Sequence, residues 1–86
     1  MQEESEKSPE KLDLARRIIH WREHAGLRKI DLARALGVEP SVVSKWERAT
    51  MTPTTENHHR IAAACGVTME RFWGSMSDDE QGSSAQ

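Results

Sequence analysis

The chain has 86 residues, of which 36% are hydrophobic and 30% are charged, with a formal net charge of −2. This length fits one small domain. No apolar run approaches the ~20 residues that a membrane-spanning helix needs, and the polar N-terminus lacks the apolar centre of a signal peptide. We therefore expect an intracellular, cytoplasmic protein. The single cysteine, Cys65, excludes an internal disulfide and a zinc site of paired cysteines, and is expected to be a small buried hydrophobe.

Charge is distributed unevenly along the sequence. Residues 1–11 and 74–86 are net acidic, whereas residues 12–73 contain ten basic side chains against seven acidic ones. A mildly basic centre is compatible with a nucleic-acid partner, because the charge of the contacting face matters more than the total. We expect residues 1–8 and 77–86 to be disordered acidic tails and residues 9–76 to form the domain.

The apolar pattern predicts five helices and no strands, so the expected fold class is all-α. The predicted helices span residues 9–25, 28–36, 39–48, 55–65 and 69–75. Ser8 and Thr68 are candidate caps at helix starts, and a glycine follows the first, second and fourth helices. Trp21 and Trp46 fall at helical spacing on the apolar faces and are expected in the core.

Residues 27–47 (LRKIDLARALGVEPSVVSKWE) are the most informative stretch. Two short helices are separated by three residues that begin with Gly37. A break that short forces the helices to pack at a steep angle, as in a helix-turn-helix. Ala33 is small where the second helix must approach closely, and Val38 and Val43 close the small core between the two helices.

From about residue 14 to residue 72 the sequence resembles the phage repressor and Cro-like helix-turn-helix regulators, known as the XRE family. The resemblance is carried by Ile18, Trp21, Arg22, Gly26, Leu27, Asp31, Leu32, Ala33, Leu36, Gly37, Val38, Ser41, Val43, Ser44, Trp46, Glu47, Pro53, Ile61, Ala62, Gly66 and Val67. It implies a five-helix lambda-repressor-like domain whose third helix enters the DNA major groove. The implied function is a sequence-specific transcriptional regulator of an operator, expected to be a repressor.

The expected DNA-binding residues lie in and around the third helix. Serine hydroxyls can bond several bases, Val42 can touch a thymine methyl, and Lys45 can donate to guanine or to a phosphate. Glu39 could accept from cytosine, although we favour a role in capping its own helix. The resemblance also implies that Lys29 clamps a phosphate with Arg28 nearby. The full set is Arg28, Lys29, Glu39, Pro40, Ser41, Val42, Ser44, Lys45, Arg48, Thr50 and Thr52.

Several positions are expected to shape the domain without reading DNA. Arg22 and Glu47 match a pair that in this family forms a partly buried ion pair between the first and third helices. Ala49 stands where glycine is usual, so we expect a reshaped turn after the third helix. Thr55 and His58 are polar where the family has core residues. The following loop offers threonines to phosphates where basic residues are common.

The last predicted helix suggests a homodimer interface. One of its large apolar residues should close the core, and the others could form an exposed apolar patch of the kind that marks a partner surface. The expected interface residues are Met69, Phe72, Trp73 and Met76. In similar repressors the fifth helix pairs two subunits, so we expect residues 68–76 to pair two copies on an inverted repeat in double-stranded DNA.

Other functions are weighed on the same residues. No set of serine, cysteine or carboxylate side chains suggests an enzyme, and no cofactor is expected. The pairs His20/His24 and His58/His59 lack the further ligands of a tetrahedral metal site. Two alternatives stay open: an antitoxin of a toxin–antitoxin pair, and a protein-interaction module without DNA affinity. The negative net charge and the weakly basic loop favour the module.

Overall fold

The computed structural model describes residues 9–76, which form five helices and, within that range, no strand. The helices are α1 (Pro9–His24), α2 (Lys29–Leu36), α3 (Pro40–Glu47), α4 (Thr55–Cys65) and α5 (Met69–Trp73). The predicted all-α class and the five helices are confirmed. The fifth helix ends two residues early because Gly74 turns the backbone to an extended conformation. The predicted tails at 1–8 and 77–86, and the cap from Ser8, lie outside the described residues.

Local capping explains where the later helices begin. The Thr54 hydroxyl accepts from the Asn57 backbone N–H at 3.2 Å, and the Thr68 hydroxyl accepts from that of Arg71 at 3.0 Å. Each bond satisfies one of the N–H groups that the first turn leaves without an intrahelical partner. Both starts follow from the local sequence.

The core lies between α1 and the other helices. The largest fully buried side chains are Trp21, Phe72, Ile18, Leu32, Ile61 and Val43. Helix α1 packs against α3, α4 and α5, and α2 packs against α3 and α4. Trp21 and Trp46 lie in this core as predicted, and Cys65 is buried beside them. Burial raises the pKa of the Cys65 thiol to about 11, so it stays protonated near neutral pH.

Helix α5 is bonded to α1 through backbone carbonyls, a link that the sequence did not predict. The Trp21 indole Nε1 donates to the Phe72 carbonyl at 3.1 Å, and Arg17 Nη1 donates to the same carbonyl at 2.9 Å. Arg17 also donates to the Gly74 carbonyl and pairs with Asp13 at 2.8 Å. These bonds occupy carbonyls that the end of a five-residue helix leaves without an intrahelical partner.

The turn after α3 is not reshaped, which corrects the expectation for Ala49. Ala49 takes the left-handed conformation with φ of 63°. Its N–H donates to the Trp46 carbonyl at 3.1 Å, and the Thr50 N–H donates to the Lys45 carbonyl at 2.9 Å. This is the bonding of a glycine-type helix end. Alanine therefore keeps the glycine geometry at a conformational cost of roughly 1–2 kcal/mol.

Because the backbone at Ala49 is strained, two substitutions there should have different effects on the free energy of unfolding. Ala49→Gly relieves the strain but removes a buried methyl worth about 0.8 kcal/mol, so the free energy of unfolding should change by less than about 1 kcal/mol. Ala49→Val should lower it by about 2 kcal/mol or more, because a β-branched residue is a genuine outlier at positive φ. Urea denaturation of the two variants measures both values. Equal losses in the two would show that packing, and not φ, governs this position.

Candidate nucleic-acid interface

Helices α2 and α3 meet through a tight turn at Gly37. Gly37 has φ of 75°, its N–H donates to the Arg34 carbonyl at 3.2 Å, and the Val38 N–H donates to the Ala33 carbonyl at 3.0 Å. Left-handed backbone of this kind is costly for residues with a Cβ atom. Ala33 is buried between the helices, where the sequence predicted a close approach. The turn places α3 on the surface with its N-terminal half accessible.

The exposed side of α3 differs in part from the sequence expectation. Pro40, Ser41 and Lys45 are exposed, as is Arg48 just beyond the helix. Ser44 is half-buried, and so is Val42, whose side chain packs against the core. Val42 is therefore less available to a thymine methyl than the sequence suggested, because its side chain is turned partly toward the core. The fully exposed candidates on α3 that carry a hydrogen-bonding side chain are Ser41 and Lys45.

Glu39 does not cap α3 with its side chain, which corrects the interpretation favoured from the sequence. It occupies the N-cap position with extended backbone, and its own carbonyl accepts from the Val42 N–H at 2.9 Å. Its side chain makes no cap hydrogen bond. Glutamate is not among the residues preferred at this position, where shorter Asp, Asn and Ser side chains reach the first-turn N–H groups. The exposed Glu39 carboxylate thus lies next to Ser41 at the start of α3.

A buried ion pair joins α1 to the C-terminal end of α3. Arg22 Nε lies 2.6 Å from Glu47 Oε2, and Arg22 Nη2 lies 3.2 Å from Glu47 Oε1. Arg22 Nη1 also donates to the Leu27 carbonyl at 2.9 Å. The side chains are only 11% and 5% exposed. The paired geometry satisfies both charges where water is largely excluded, and it fixes the orientation of α3 against α1.

The two basic residues at the start of α2 are in different electrostatic surroundings. Arg28 forms a two-point pair with Asp31, with Nε to Oδ2 at 3.0 Å and Nη2 to Oδ1 at 3.1 Å. This pairing lowers the pKa of Asp31 to about 2 and raises that of Arg28. Lys29 Nζ lies 3.9 Å from Glu47 Oε1 and is half-exposed. Lys29 is therefore the better phosphate donor, since the charge of Arg28 is already balanced by Asp31.

The loop after α3 offers few donors to phosphate. The Thr50 hydroxyl donates to the Lys45 carbonyl at 3.2 Å, so its proton is already used within the protein. Met51 and Thr52 are exposed, and the loop carries no basic side chain. The exposed Thr52 hydroxyl is available to a phosphate. Arg48 is the cation nearest to Thr52 in the sequence.

His58 and Thr55 behave differently from each other, although both were expected at core positions. Thr55 is exposed, so its polarity carries no burial cost and that expectation is wrong. His58 is half-buried, and its Nε2 is buried without a hydrogen-bond partner among the described residues. Desolvation, helped by the charge of His59, lowers the pKa of His58 against the opposing effect of the Pro53 carbonyl. The imidazole is thus held in its neutral form.

The lowered pKa of His58 predicts a pH-dependent stability. The neutral ring is favoured in the folded state, so its contribution is present above the unfolded pKa of about 6.5 and is lost as the pH falls through the lower folded value. His58→Leu should raise the free energy of unfolding at neutral pH and weaken its decline between pH 7.5 and 5. Urea midpoints across this range test the prediction, with exposed His59→Gln as the control. An unchanged pH profile in His58→Leu would contradict it.

Fewer apolar residues are exposed at α5 than the predicted dimer interface contains. Phe72 is fully buried against α1, so it is the residue that closes the core and it has no surface for a partner. Met69 packs partly against the core, and Met76 is half-buried. Trp73 is 41% exposed. Trp73 is therefore the exposed large apolar residue at this end, and Met69 and Met76 are only partly accessible.

The described residues contain no group of three His, Cys, Asp or Glu side chains placed to hold a metal ion. His20 and His24 stack with ring centroids 6.2 Å apart, and both contact Trp21 edgewise. Between residues 9 and 76, no helix is both long and apolar enough to cross a membrane.

Comparison with known proteins agrees with this geometry. A helix-turn-helix family model matches residues 18–72, which is more than half of the chain and includes α2, α3 and the turn between them. No curated protein matches the chain significantly. The matched region contains the buried Arg22–Glu47 pair and the exposed face of α3. The chain belongs to the Cro/C1-type helix-turn-helix family of DNA-binding transcription regulators, the XRE family.

Proposed function

We propose that the protein represses transcription by binding an operator through α3 in the major groove. The observation that carries the proposal is the exposed pair Ser41 and Lys45 on a helix whose far end is fixed by the buried Arg22–Glu47 bond. Preorganised side chains read base edges with little loss of conformational entropy on binding. Repression follows if the operator overlaps the site where polymerase must bind.

The proposed contacts fall into two classes. Ser41, Lys45 and the half-buried Ser44 read base edges, and Glu39 can accept from a cytosine amino group. Lys29, Arg48 and the loop hydroxyl of Thr52 bind phosphates and set the register of α3 in the groove. Arg28 contributes less, because Asp31 already holds it.

A homodimer supplies the second half of the operator. Helix α3 has eight residues and spans about 12 Å, so one copy reads only a short stretch of base pairs. Two copies paired through Trp73, Met69 and Met76 would read an inverted repeat with half-sites about one helical turn apart. We therefore place the subunit contact on α5.

Selection of bound sequences from random duplex DNA at two salt concentrations tests the function. We expect an inverted-repeat motif whose enrichment falls steeply at the higher salt, because bound phosphates release counterions. A failure to enrich any sequence at either concentration would contradict operator binding. The second candidate function, a protein-interaction module without DNA affinity, is favoured by the loop without basic residues. An apolar protein contact would respond little to salt.

Pairing through α5 predicts a definite sedimentation result. At micromolar concentration the parent chain should sediment at twice its mass of 9.7 kDa. Trp73→Ser should sediment as a monomer, because it removes the exposed ring at the centre of the contact. Ile30→Ser is the matched control, since Ile30 on α2 is also 41% exposed. A parent chain that sediments only as a monomer would exclude this interface.

A further inference from the structure

A groove of about 300 Å³ lies on the side of the domain where α1, α4 and α5 meet. Its walls are mainly apolar, and none of its lining residues belongs to α3. The lining residues are Glu10, Lys11, Asp13, Leu14, Thr52, His58 and Trp73. Concave, mostly apolar sites with a few polar groups are the usual form of small-molecule sites.

The Trp73 ring forms a rigid wall of this groove. Arg17 lies over the indole with its guanidinium carbon 5.4 Å from the ring centroid. Phe72 and His58 contact the ring edgewise at centroid distances of 5.2 and 5.7 Å. Arg17 is itself fixed by Asp13 and by the Phe72 carbonyl. A ring held on these sides while 41% exposed presents a preorganised surface for stacking.

His58, in the same wall of the groove, has a ring nitrogen that lacks a hydrogen-bond partner among the described residues. Its Nε2 has no partner among residues 9–76, although it is shielded from water. The Pro53 carbonyl favours a proton on the ring and leaves Nε2 as the lone-pair acceptor when His58 is neutral. A buried polar atom without a partner is uncommon and calls for an explanation. Because His58 lines the groove, a donor bound there is placed to supply the missing bond.

We propose that this groove binds a small, uncharged, planar aromatic molecule that stacks on Trp73 and donates one hydrogen bond to His58. The lining favours an uncharged ligand, because Asp13 is already paired with Arg17 and the groove also carries Glu10 and Lys11, which are opposite in charge. Trp73 is also the centre of the proposed subunit contact, so a stacked ligand and a second copy would compete for the same exposed ring. Occupancy is therefore coupled to DNA affinity, a part of the inference that rests on the proposed function.

Indole and 1-methylindole are matched probes, because only indole has an N–H donor. In ¹H–¹⁵N spectra without DNA, indole should shift the Trp73 and His58 signals and saturate. We expect 1-methylindole to bind about threefold to tenfold more weakly, as suits the loss of one hydrogen bond. His58→Leu should bind both probes equally, and Trp73→Ala should bind neither. The control Ile30→Ala, which does not line the groove, should bind both as the parent chain does.

Unsaturable shifts spread over the surface, or equal affinity of the two probes for the parent chain, would overturn the proposal. The proposal would also be overturned if the Trp73 and His58 signals moved when the protein was diluted but not when indole was added. The occupant of the groove would then be a second copy of the chain. With the selected duplex, saturating indole should change the Kd for DNA at least about threefold, and 1-methylindole at the same concentration should change it less. Indole binding with an unchanged Kd would overturn the coupling alone. A chain that binds indole but no DNA would contradict the proposed function and leave the groove intact.

Discussion

Replacing Glu47 by alanine should lower the free energy of unfolding by about 3 kcal/mol or more. The substitution removes both short carboxylate contacts of the Arg22 guanidinium, whose side chain is 11% exposed, and leaves it the Leu27 carbonyl and the more distant Glu23 carboxylate at 3.8 Å. Removing one partner of a buried pair is strongly destabilising, because the charge that remains is poorly paired and poorly hydrated. The Lys29 ammonium, 3.9 Å from the same carboxylate, also loses its nearest anion. Urea denaturation followed by far-UV circular dichroism measures the loss.

The surface pair between Arg28 and Asp31 provides the matched control. It has the same guanidinium–carboxylate chemistry, but the Arg28 side chain is 75% exposed, so Arg28→Ala should leave the free energy of unfolding nearly unchanged. The double variant Arg22→Met/Glu47→Leu should recover most of the loss, since well-packed apolar replacements often match a buried pair. A Glu47→Ala chain as stable as the parent would show that the pair is hydrated in solution.

The double variant Ser41→Ala/Lys45→Ala should lose about 10- to 100-fold in affinity for its selected operator and keep its fold. Both side chains are exposed on α3, so truncation removes contacts with DNA without opening a cavity in the core. A well-placed contact with a base edge is worth about 1–3 kcal/mol of discrimination. Binding to the selected duplex and to a scrambled one, each at two salt concentrations, separates sequence reading from charge.

Arg60→Ala is the charge control for this double variant. It removes one cation from the exposed surface of α4, outside α2 and α3, and should leave the selected motif unchanged. If Lys45 contacts a phosphate, its loss should also reduce the slope of log affinity against log salt by about one. If Lys45 reads a base, the slope should change little while discrimination against the scrambled duplex falls. A double variant that binds the operator as well as the parent would contradict the assignment of the reading face.

The features predictable from the sequence are those set by neighbouring residues. Gly37 marks the turn because a left-handed helix end needs little more than a glycine in the right place. Thr68 begins α5 with its own hydroxyl, as expected from the sequence. The helix-turn-helix followed from the spacing of such signals. Its assignment needed no knowledge of how distant parts of the chain meet.

The features that the sequence did not predict depend on the rotation of a helix about its axis and on contacts between distant residues. Periodicity placed Val42 on the exposed side of α3, yet its side chain packs partly against the core. Phe72 and Trp73 are adjacent and similar in chemistry, and only the docking of α5 decides which is buried. The bonds from Arg17 and Trp21 to the Phe72 carbonyl span more than fifty residues, and no local pattern signals them. The site is correspondingly less predictable than the fold.

Helix α1 is bonded to two different parts of the domain through two consecutive residues. Trp21 holds the Phe72 carbonyl of α5, and the next residue, Arg22, holds Glu47 of α3. In the proposed dimer, α1 therefore connects the subunit contact on α5 rigidly to the reading helix α3. The distance between the two reading helices would then be set by these side-chain bonds and by helix packing, and not by a flexible linker. Operators whose half-site spacing differs from the preferred one by even one base pair should be bound poorly. The added base pair rotates one half-site about the duplex axis, and the proposed dimer has no flexible segment that could follow this rotation.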